Sequence, residues 1–351
     1  SDWSSDVCSS DLTRENFAWE LQQQPQPGSG IPRISANGTG QEMKITGEAG
    51  SSFGVFMTTG DLNNDGKGDL IVGANGYSSS TGRVYVFYTD GSLSGTATSA
   101  DVVISGVSSS NFFGTAVATG DLNRDGKIDL IVGARTSAGA VYIFYNDGSF
   151  AGNASLADVT IAGEVDSLFG SALVTGDFDA DGDIDLAAGG SYYSANYTGR
   201  VYLFYNDGSL PTTAATADVI ITGASAGLSF GANLAAGDLN ADGKTDLIVG
   251  THSGANVYIF YNGSIITELA SGADVNIVGS GYFGGAVVVG DFNTDGRIDL
   301  AVADTEASSS AAGKVRLFYN DGSIPTTAGT ADVTISEASS LQLFGYALAA
   351  G

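Results

Sequence analysis

Five short segments of this chain carry carboxylate and carboxamide side chains at one fixed spacing. The pattern is D-x-[DN]-x-D-G-x-x-D, and the five copies, here called cassettes 1 to 5, begin at Asp61, Asp121, Asp177, Asp238 and Asp291. Oxygen donors at alternate positions of a loop, with a glycine at position 6 that permits a sharp turn, are typical of calcium-binding loops. Acidic turns without a metal are the alternative, and they would require five coincidences in register.

We expect each cassette to bind one Ca²⁺, which gives up to five ions. Position 7 differs in side-chain type between copies, so we expect its backbone carbonyl, rather than its side chain, to face the ion. The predicted metal ligands at positions 1, 3, 5, 7 and 9 are Asp61, Asn63, Asp65, Lys67 and Asp69; Asp121, Asn123, Asp125, Lys127 and Asp129; Asp177, Asp179, Asp181, Asp183 and Asp185; Asp238, Asn240, Asp242, Lys244 and Asp246; and Asp291, Asn293, Asp295, Arg297 and Asp299.

The residues after each cassette indicate which elements hold it. A helix-loop-helix calcium site needs a bidentate acid at position 12, but that position is Val72, Val132, Ala188, Val249 and Val302. Position 9 leads directly into apolar, β-branched runs, which are typical of buried strands. The cassettes are therefore predicted to join two β-strands.

Composition narrows the class of protein. The 351 residues include 39 acidic and 13 basic side chains, a net charge of −26, and 51 glycines, which is typical of a turn-rich all-β protein. So much negative charge argues against nucleic acid or an anionic membrane as a partner. Cys8 is the only cysteine, which excludes an internal disulfide, and no apolar run is long enough to predict membrane insertion.

A Phe-Gly pair stands eight residues before each cassette and marks the repeat. Each repeat contains four strand patterns, as at 114–119, 130–133, 140–145 and 158–162, and four short strands per unit predict an all-β fold, a β-propeller of four-stranded blades. Five complete blades are predicted at 53–106, 113–163, 169–223, 230–279 and 283–336, and Phe344-Gly345 begins a partial sixth. Residues 43–47 match the fourth strand of a blade.

The Phe-Gly pair, the GDLNxDGxxDL cassette and the following Val-Gly-Ala resemble the FG-GAP repeats of the integrin α-subunit β-propeller. The resemblance covers residues 41–351 and implies a seven-bladed parent, truncated here, with calcium between strands 1 and 2 of a blade. Copies 3 and 5 depart from Val-Gly-Ala at Gly189-Gly190 and Ala303-Asp304. Residues 1–12 resemble the sequencing-adapter read-through of metagenomic gene fragments, and residues 13–40 are predicted to be a linker or upstream remnant.

Loop lengths differ between the two sides of the predicted blades. The step from the strand-3 tyrosine to the strand-4 aspartate is 13 residues in every blade, whereas the connection between strands 2 and 3 varies. Variable loops on a rigid scaffold are the usual place for recognition, although loops without a partner also vary in length. Candidate contacts to a protein or glycan partner on this face, opposite the calcium loops, are Tyr77, Arg135, Tyr192, Tyr193, Tyr197, His252 and Tyr282.

The leading functional hypothesis is a non-enzymatic, calcium-stabilised adhesion or interaction module of a secreted or cell-surface protein. The alternative is a carbohydrate-binding propeller. An enzyme is disfavoured because His252 is the only histidine and no nucleophile-base pair is recognisable; acids before the Phe-Gly pairs, Glu48, Glu164 and Glu337, are expected at the surface. N-x-[ST] acceptor patterns occur at Asn37, Asn153, Asn196 and Asn262.

Overall fold

The computed structural model describes residues 20–22, 33–35, 42–43, 45–89, 95–193, 196–262, 268–304, 313–336 and 348. Within them, five four-stranded antiparallel sheets follow one another along the sequence, and the strands of each sheet neighbour each other in chain order. Single turns of 3₁₀ helix connect strands 3 and 4 of each sheet. The predicted all-β fold of four-stranded propeller blades is confirmed. Glu337 and the Phe344-Gly345 pair lie outside the described residues.

The strands have the following bounds. A first, three-stranded sheet contains β1 (Glu20–Gln22), β2 (Arg33–Ser35) and β3 (Glu42–Met43). Blade 1 contains β4 (Phe56–Gly60), β5 (Asp69–Ala74), β6 (Arg83–Phe87) and β7 (Val102–Ser105). Blade 2 contains β8 (Phe113–Gly120), β9 (Asp129–Ala134), β10 (Ala140–Phe144) and β11 (Val159–Ala162). Blade 3 contains β12 (Phe169–Gly176), β13 (Asp185–Gly190), β14 (Arg200–Phe204) and β15 (Val219–Thr222). Blade 4 contains β16 (Phe230–Gly237), β17 (Asp246–Thr251), β18 (Asn256–Phe260) and β19 (Val275–Val278). Blade 5 contains β20 (Phe283–Gly290), β21 (Asp299–Asp304), β22 (Lys314–Phe318) and β23 (Val333–Ser336).

The stretch predicted to be a linker contains two of these strands, β1 and β2. They pair antiparallel with each other, and β2 pairs with β3, so this stretch has regular structure that its Gln, Pro and Gly content concealed. Just after β3, Thr46 forms a parallel bridge with Thr96, as Ser105 does with Asn153 at the next blade boundary. Thr46 therefore occupies the position of a strand-4 terminus, as the match of residues 43–47 predicted.

Apolar residues of adjacent blades form the cores between them. Such cores contain Phe113, Phe169, Phe230 and Phe283, whereas Phe53 packs with Ile45 and residues of blade 1. Phe113 contacts the rings of Tyr142 and Phe144 edge-on, at centroid distances of 5.6 and 6.4 Å. The Val-Gly-Ala glycine allows the blades to approach, because a Cβ on Gly73 would lie 2.2 Å from the carbonyl oxygen of Gly114 in blade 2. The repeated motif is thus the contact surface between blades.

Candidate metal sites and the opposite loop surface

Each cassette forms a loop closed by its own carboxylates. In cassette 1, Asp61 accepts hydrogen bonds from the backbone N–H groups of Asp65 and Gly66 at 3.0 and 2.8 Å, and Asn63 Oδ1 accepts from Asp65 N–H at 2.9 Å. The same bonds recur in the other four cassettes. Position 4 is left-handed in every copy, although none has glycine there: Asn64, Arg124, Ala180, Ala241 and Thr294 have φ of 58°, 63°, 64°, 58° and 61°.

The position-9 aspartate is buried and connects two loops. Asp129 has no exposed surface; its Oδ2 accepts from Leu122 N–H at 2.8 Å and its Oδ1 from Asn146 N–H at 2.8 Å, just beyond strand 3. The equivalent bonds occur in all five blades. The loop between strands 1 and 2 therefore shares a side of the blade with the start of the loop between strands 3 and 4, as expected for up-and-down strands.

Burial raises the pKa of four of the position-9 aspartates. Burial is the largest cause that raises the pKa of Asp129, Asp185 and Asp246 to about 6, while the backbone N–H donors act in the opposite direction. The pKa of Asp69 is also raised, for the same reason. A cation beside these groups would favour their ionised form.

The donor set fits a hard divalent cation. In cassette 3, carboxylate oxygens of Asp177, Asp179 and Asp185 all lie within 4.8 Å of one another. Every side-chain donor at positions 1, 3, 5 and 9 of all five cassettes is an oxygen, which suits Ca²⁺ and not a metal that prefers nitrogen or sulfur ligands. Three of the predicted residues of cassette 3 are therefore brought together, and the side chains of all five cassettes have suitable chemistry.

An asparagine after strand 3 supports the cassettes by hydrogen bonds, and the sequence pattern did not predict this role. Asn146 is buried, and its Nδ2 donates to the carbonyl of Leu62 in cassette 1 at 3.0 Å and to that of Ile128 at 3.1 Å. Asn262 and Asn320 likewise donate to the preceding cassette, at Asp177 O and Leu239 O, both 2.8 Å. The signal was present as a recurring Tyr-Asn pair, which reads as an ordinary turn. Asn262 is thus not accessible as a glycosylation acceptor.

The side chain at position 7 also donates hydrogen bonds in three cassettes, although its type varies between copies. Lys127 Nζ donates to Asn146 O at 3.0 Å, Lys67 Nζ to Thr89 O at 3.4 Å, and Arg297 to Asn320 O at 3.3 Å. The constant 13-residue connector has a physical cause too: Tyr88 N–H donates to Asp101 Oδ2 at 2.8 Å, and the other four pairs do the same at 2.8 to 2.9 Å. The cassette side of the blades is therefore densely hydrogen-bonded.

The variable loops lie together on the other side of the blades. Backbone hydrogen bonds join the strand 2–3 loop of one blade to the strand 4–1 loop that follows, as from Ser110 N–H to Ser79 O at 3.1 Å and from Ser229 N–H to Tyr197 O at 3.0 Å. The loop of blade 1 includes a turn over Tyr77–Ser80 with left-handed serines.

Two of the predicted contact residues pack against arginine side chains of their own blade. Tyr77 and Tyr193 are half-buried under the guanidinium groups of Arg83 and Arg200, 3.7 and 3.4 Å from the ring centroids. Each arginine is also paired with a glutamate, Arg200 Nη1 with Glu164 at 2.8 Å and Arg83 Nη1 with Glu48 at 3.5 Å.

Those glutamates are not the free surface acids that the sequence suggested. Glu164 accepts a 2.6 Å hydrogen bond from the hydroxyl of buried Tyr202, and Glu48 a 2.7 Å bond from that of Tyr85. The expectation was wrong because the partners are strand residues more than 30 positions away in the sequence. Both acids stabilise the base of a variable loop.

Four of the other five predicted residues are exposed at this surface. Tyr192 and Tyr197 are 44% and 50% exposed, and their rings meet edge-on with centroids 4.8 Å apart. Exposed His252 contacts half-buried Tyr282, at a centroid distance of 5.4 Å. Arg135 is also exposed, with its guanidinium 6.0 Å from the Phe112 ring.

Comparison with known families agrees with this architecture. A family model described as FG-GAP-like repeat matches residues 61–132, 121–188, 177–249 and 238–302, each match running from one cassette through the next. The chain belongs to the FG-GAP-like repeat family. The resemblance stated from the sequence is confirmed.

Curated relatives of this FG-GAP chain match it over part of its length. Mouse integrin alpha-7 is 35% identical over 161 residues, 43% of this chain and 13% of the relative. Human phosphatidylinositol-glycan-specific phospholipase D is 35% identical over 177 residues, 45% and 21% respectively. Drosophila melanogaster integrin alpha-PS2 is 30% identical over 230 residues, 60% and 16%. The chain therefore spans a minor part of the length of these relatives. Among the described residues, no helix has the length and apolarity needed to cross a membrane.

Proposed function

We propose that this FG-GAP chain is a calcium-binding, non-enzymatic adhesion or interaction module of a secreted or cell-surface protein. The observation that carries the proposal is the division of each blade: oxygen-rich loops recur on one side, and loops of variable length lie on the other, where Tyr192 and Tyr197 of blade 3 are exposed. The similarity to integrin alpha subunits supports a role in interaction.

Calcium in the strand 1–2 loops would be structural. The proposed ligands are the residues at positions 1, 3, 5, 7 and 9 of the five cassettes, and the ion would supply positive charge next to the buried position-9 carboxylates. Extracellular calcium modules bind with Kd of roughly 10⁻⁴ to 10⁻³ M, a range that is filled outside cells and empty in the cytosol. This supports a location outside the cell or on its surface.

Calcium binding is tested by equilibrium dialysis of metal-free protein. We expect up to five ions per chain, and one ion fewer in an Asp238→Ala variant, because position 1 of cassette 4 is lost. Asp207→Ala is the matched control, since Asp207 is an exposed aspartate on the same side but outside any cassette. Absence of saturable binding, or equal losses in both variants, would refute the metal assignment.

The partner is proposed to bind the variable-loop surface, with Tyr192 and Tyr197 as contacts. Tyrosines offer a large apolar area with one polar end, which suits protein partners. The same exposed pair also suits stacking against a sugar ring, so a carbohydrate-binding propeller is the second candidate.

A glycan array and a binding screen against extracellular proteins separate the two. Binding to protein but not glycan, reduced in Tyr192→Ala/Tyr197→Ala, supports the adhesion module; the reverse supports a lectin-like role. Leu156→Ala, which truncates a side chain 65% exposed in the strand 3–4 connector, is the control and should bind normally. Binding unaffected by the tyrosine substitutions would place the partner elsewhere.

A further inference from the structure

Cassette 3 differs from the other four in its charge. Asp179 and Asp183 stand at positions 3 and 7, where the other copies have asparagine and a basic residue, so five carboxylates fall within nine residues. In cassettes 1 and 2 the lysine at position 7 places its Nζ 3.7 and 3.8 Å from Oδ2 of the position-5 aspartate. Cassette 3 contains no basic residue that could do the same.

Arg124 supplies that cation from the neighbouring blade. It occupies position 4 of cassette 2, and its Nη2 lies 2.9 Å from Asp183 Oδ2 and 3.9 Å from Asp181 Oδ2 in cassette 3. The residues at position 4 of the other cassettes have shorter side chains: Asn64, Ala180, Ala241 and Thr294. A guanidinium from blade 2 thus stands beside the position-5 carboxylate of cassette 3, as an in-loop lysine does in cassettes 1 and 2.

Arg124 contacts two of the five predicted ligands of cassette 3, Asp181 and Asp183. The oxygens that approach within 4.8 Å of one another belong to Asp177, Asp179 and Asp185, whereas Arg124 contacts the other two aspartates of the cassette. The guanidinium therefore pairs with carboxylates other than the three that approach one another.

The boundary between blades 2 and 3 also differs from the other three in the hydrogen bonding of the asparagine after strand 3. At three other boundaries the asparagine after strand 3 donates its side-chain amide to the preceding cassette. The equivalent Asn206 is buried, but neither its Nδ2 nor its Oδ1 has a hydrogen-bond partner among the residues that the structure describes. Arg124 forms the ion pairs between cassettes 2 and 3 that the structure describes.

We propose that Arg124 sets the calcium affinity of cassette 3 by acting as its counter-ion across the blade boundary. The inference rests on the proposed function, because it requires calcium in the cassettes. Without the guanidinium, five carboxylates lack a cation, and Ca²⁺ binds more tightly. For a unit charge acting on a divalent ion through water over several ångströms, the change is roughly three- to tenfold at low ionic strength, and it shrinks as salt screens the charges.

The experiment follows each cassette separately in the full chain. Protein labelled with ¹³C at aspartate carbonyls and ¹⁵N at glycine shows only Asp-Gly amides by NMR, which include the position-6 glycines; Gly182 N–H, which donates to Asp177, reports on cassette 3. Calcium titrations are compared for wild type, Arg124→Gln, Arg124→Lys and the double variant Arg124→Gln/Asp183→Lys. Lys314→Gln in blade 5 makes the same change in net charge far along the chain.

Arg124→Gln should lower the calcium midpoint of Gly182 about three- to tenfold and leave those of Gly66 and Gly296 unchanged. Arg124→Lys should restore the wild-type midpoint, because it supplies a cation at the same position. The double variant should have a midpoint above that of wild type, because its cassette has four carboxylates and one lysine and is one charge more positive. Lys314→Gln should have no effect. An unchanged or higher Gly182 midpoint in Arg124→Gln, or the same shift in Lys314→Gln, overturns the role of Arg124. If calcium moves none of the position-6 amides, the proposed function itself fails, which is a different result.

Discussion

Asp304 and Arg316 form an ion pair inside blade 5. Removing one partner by mutation tests how this pair contributes to the stability of the fold. Arg316 Nη2 lies 3.3 Å from Asp304 Oδ2; the carboxylate is 1% exposed and the arginine side chain 16%. Asp304 Oδ1 and Arg316 Nε have no hydrogen-bond partner within the described part of the chain. The pair stands where blade 2 has Ala134 and Tyr142, diagonal neighbours on strands 2 and 3.

Asp304→Ala leaves the Arg316 charge buried without its partner, which typically costs about 3–5 kcal/mol of unfolding free energy. Asp304→Ala/Arg316→Tyr instead recreates the blade 2 pair. Replacing a buried ion pair by well-packed residues is neutral or stabilising by about 1–4 kcal/mol. A tyrosine at 316 would also supply the edge-on partner that Phe113, Phe169 and Phe230 have in blades 2 to 4; such a ring contact contributes about 0.5–1.5 kcal/mol.

Urea unfolding followed by circular dichroism at saturating calcium measures both effects, provided that the dependence of the unfolding free energy on urea concentration is unchanged. Asp321→Ala, an exposed aspartate of the same blade, should stay within about 0.5 kcal/mol of wild type. The reasoning is refuted if Asp304→Ala is as stable as that control, or if the double variant is no more stable than Asp304→Ala.

Two further predictions concern the cassette side of the blades. Asn146→Ala should lower the unfolding free energy by about 1–3 kcal/mol, because two buried carbonyls lose their donor; Asn206→Ala, which removes an amide without partners, should cost clearly less in the same urea titration, and equal losses would contradict the assignment. In calcium-free protein, the pKa of about 6 for Asp129, Asp185 and Asp246 means that the folded state binds protons more strongly than the unfolded chain. The stabilising contribution of these protonated aspartates should therefore be fully present below the ordinary aspartate pKa of 3.8 and be lost as pH rises through 6. The calcium concentration at half-saturation should rise below pH 6, because protons compete with the metal for the carboxylates. A melting temperature of the metal-free protein that falls from pH 7 to pH 5 would contradict this.

The sequence by itself determined the fold class, the blade boundaries and the cassettes. The reason is that these features are local and repeated: Phe-Gly, the acidic loop and the β-branched run recur in the same order, so five copies of a short pattern define the strand order of each blade. The constant 13-residue connector was also visible, and the structure gives its cause in a hydrogen bond from Tyr145 N–H to Asp158.

Only the tertiary structure decided which side chains of different blades meet. Asn146 and Leu62 are 84 residues apart and Asn262 and Asp177 are 85 apart, and nothing in either segment alone indicates the other. The same holds for Arg124 with Asp183 and for Glu164 with Tyr202, since the packing distance between blades selects these pairs. Local pattern therefore defined the cassettes, whereas contacts across blades determined the charge and support that each cassette receives.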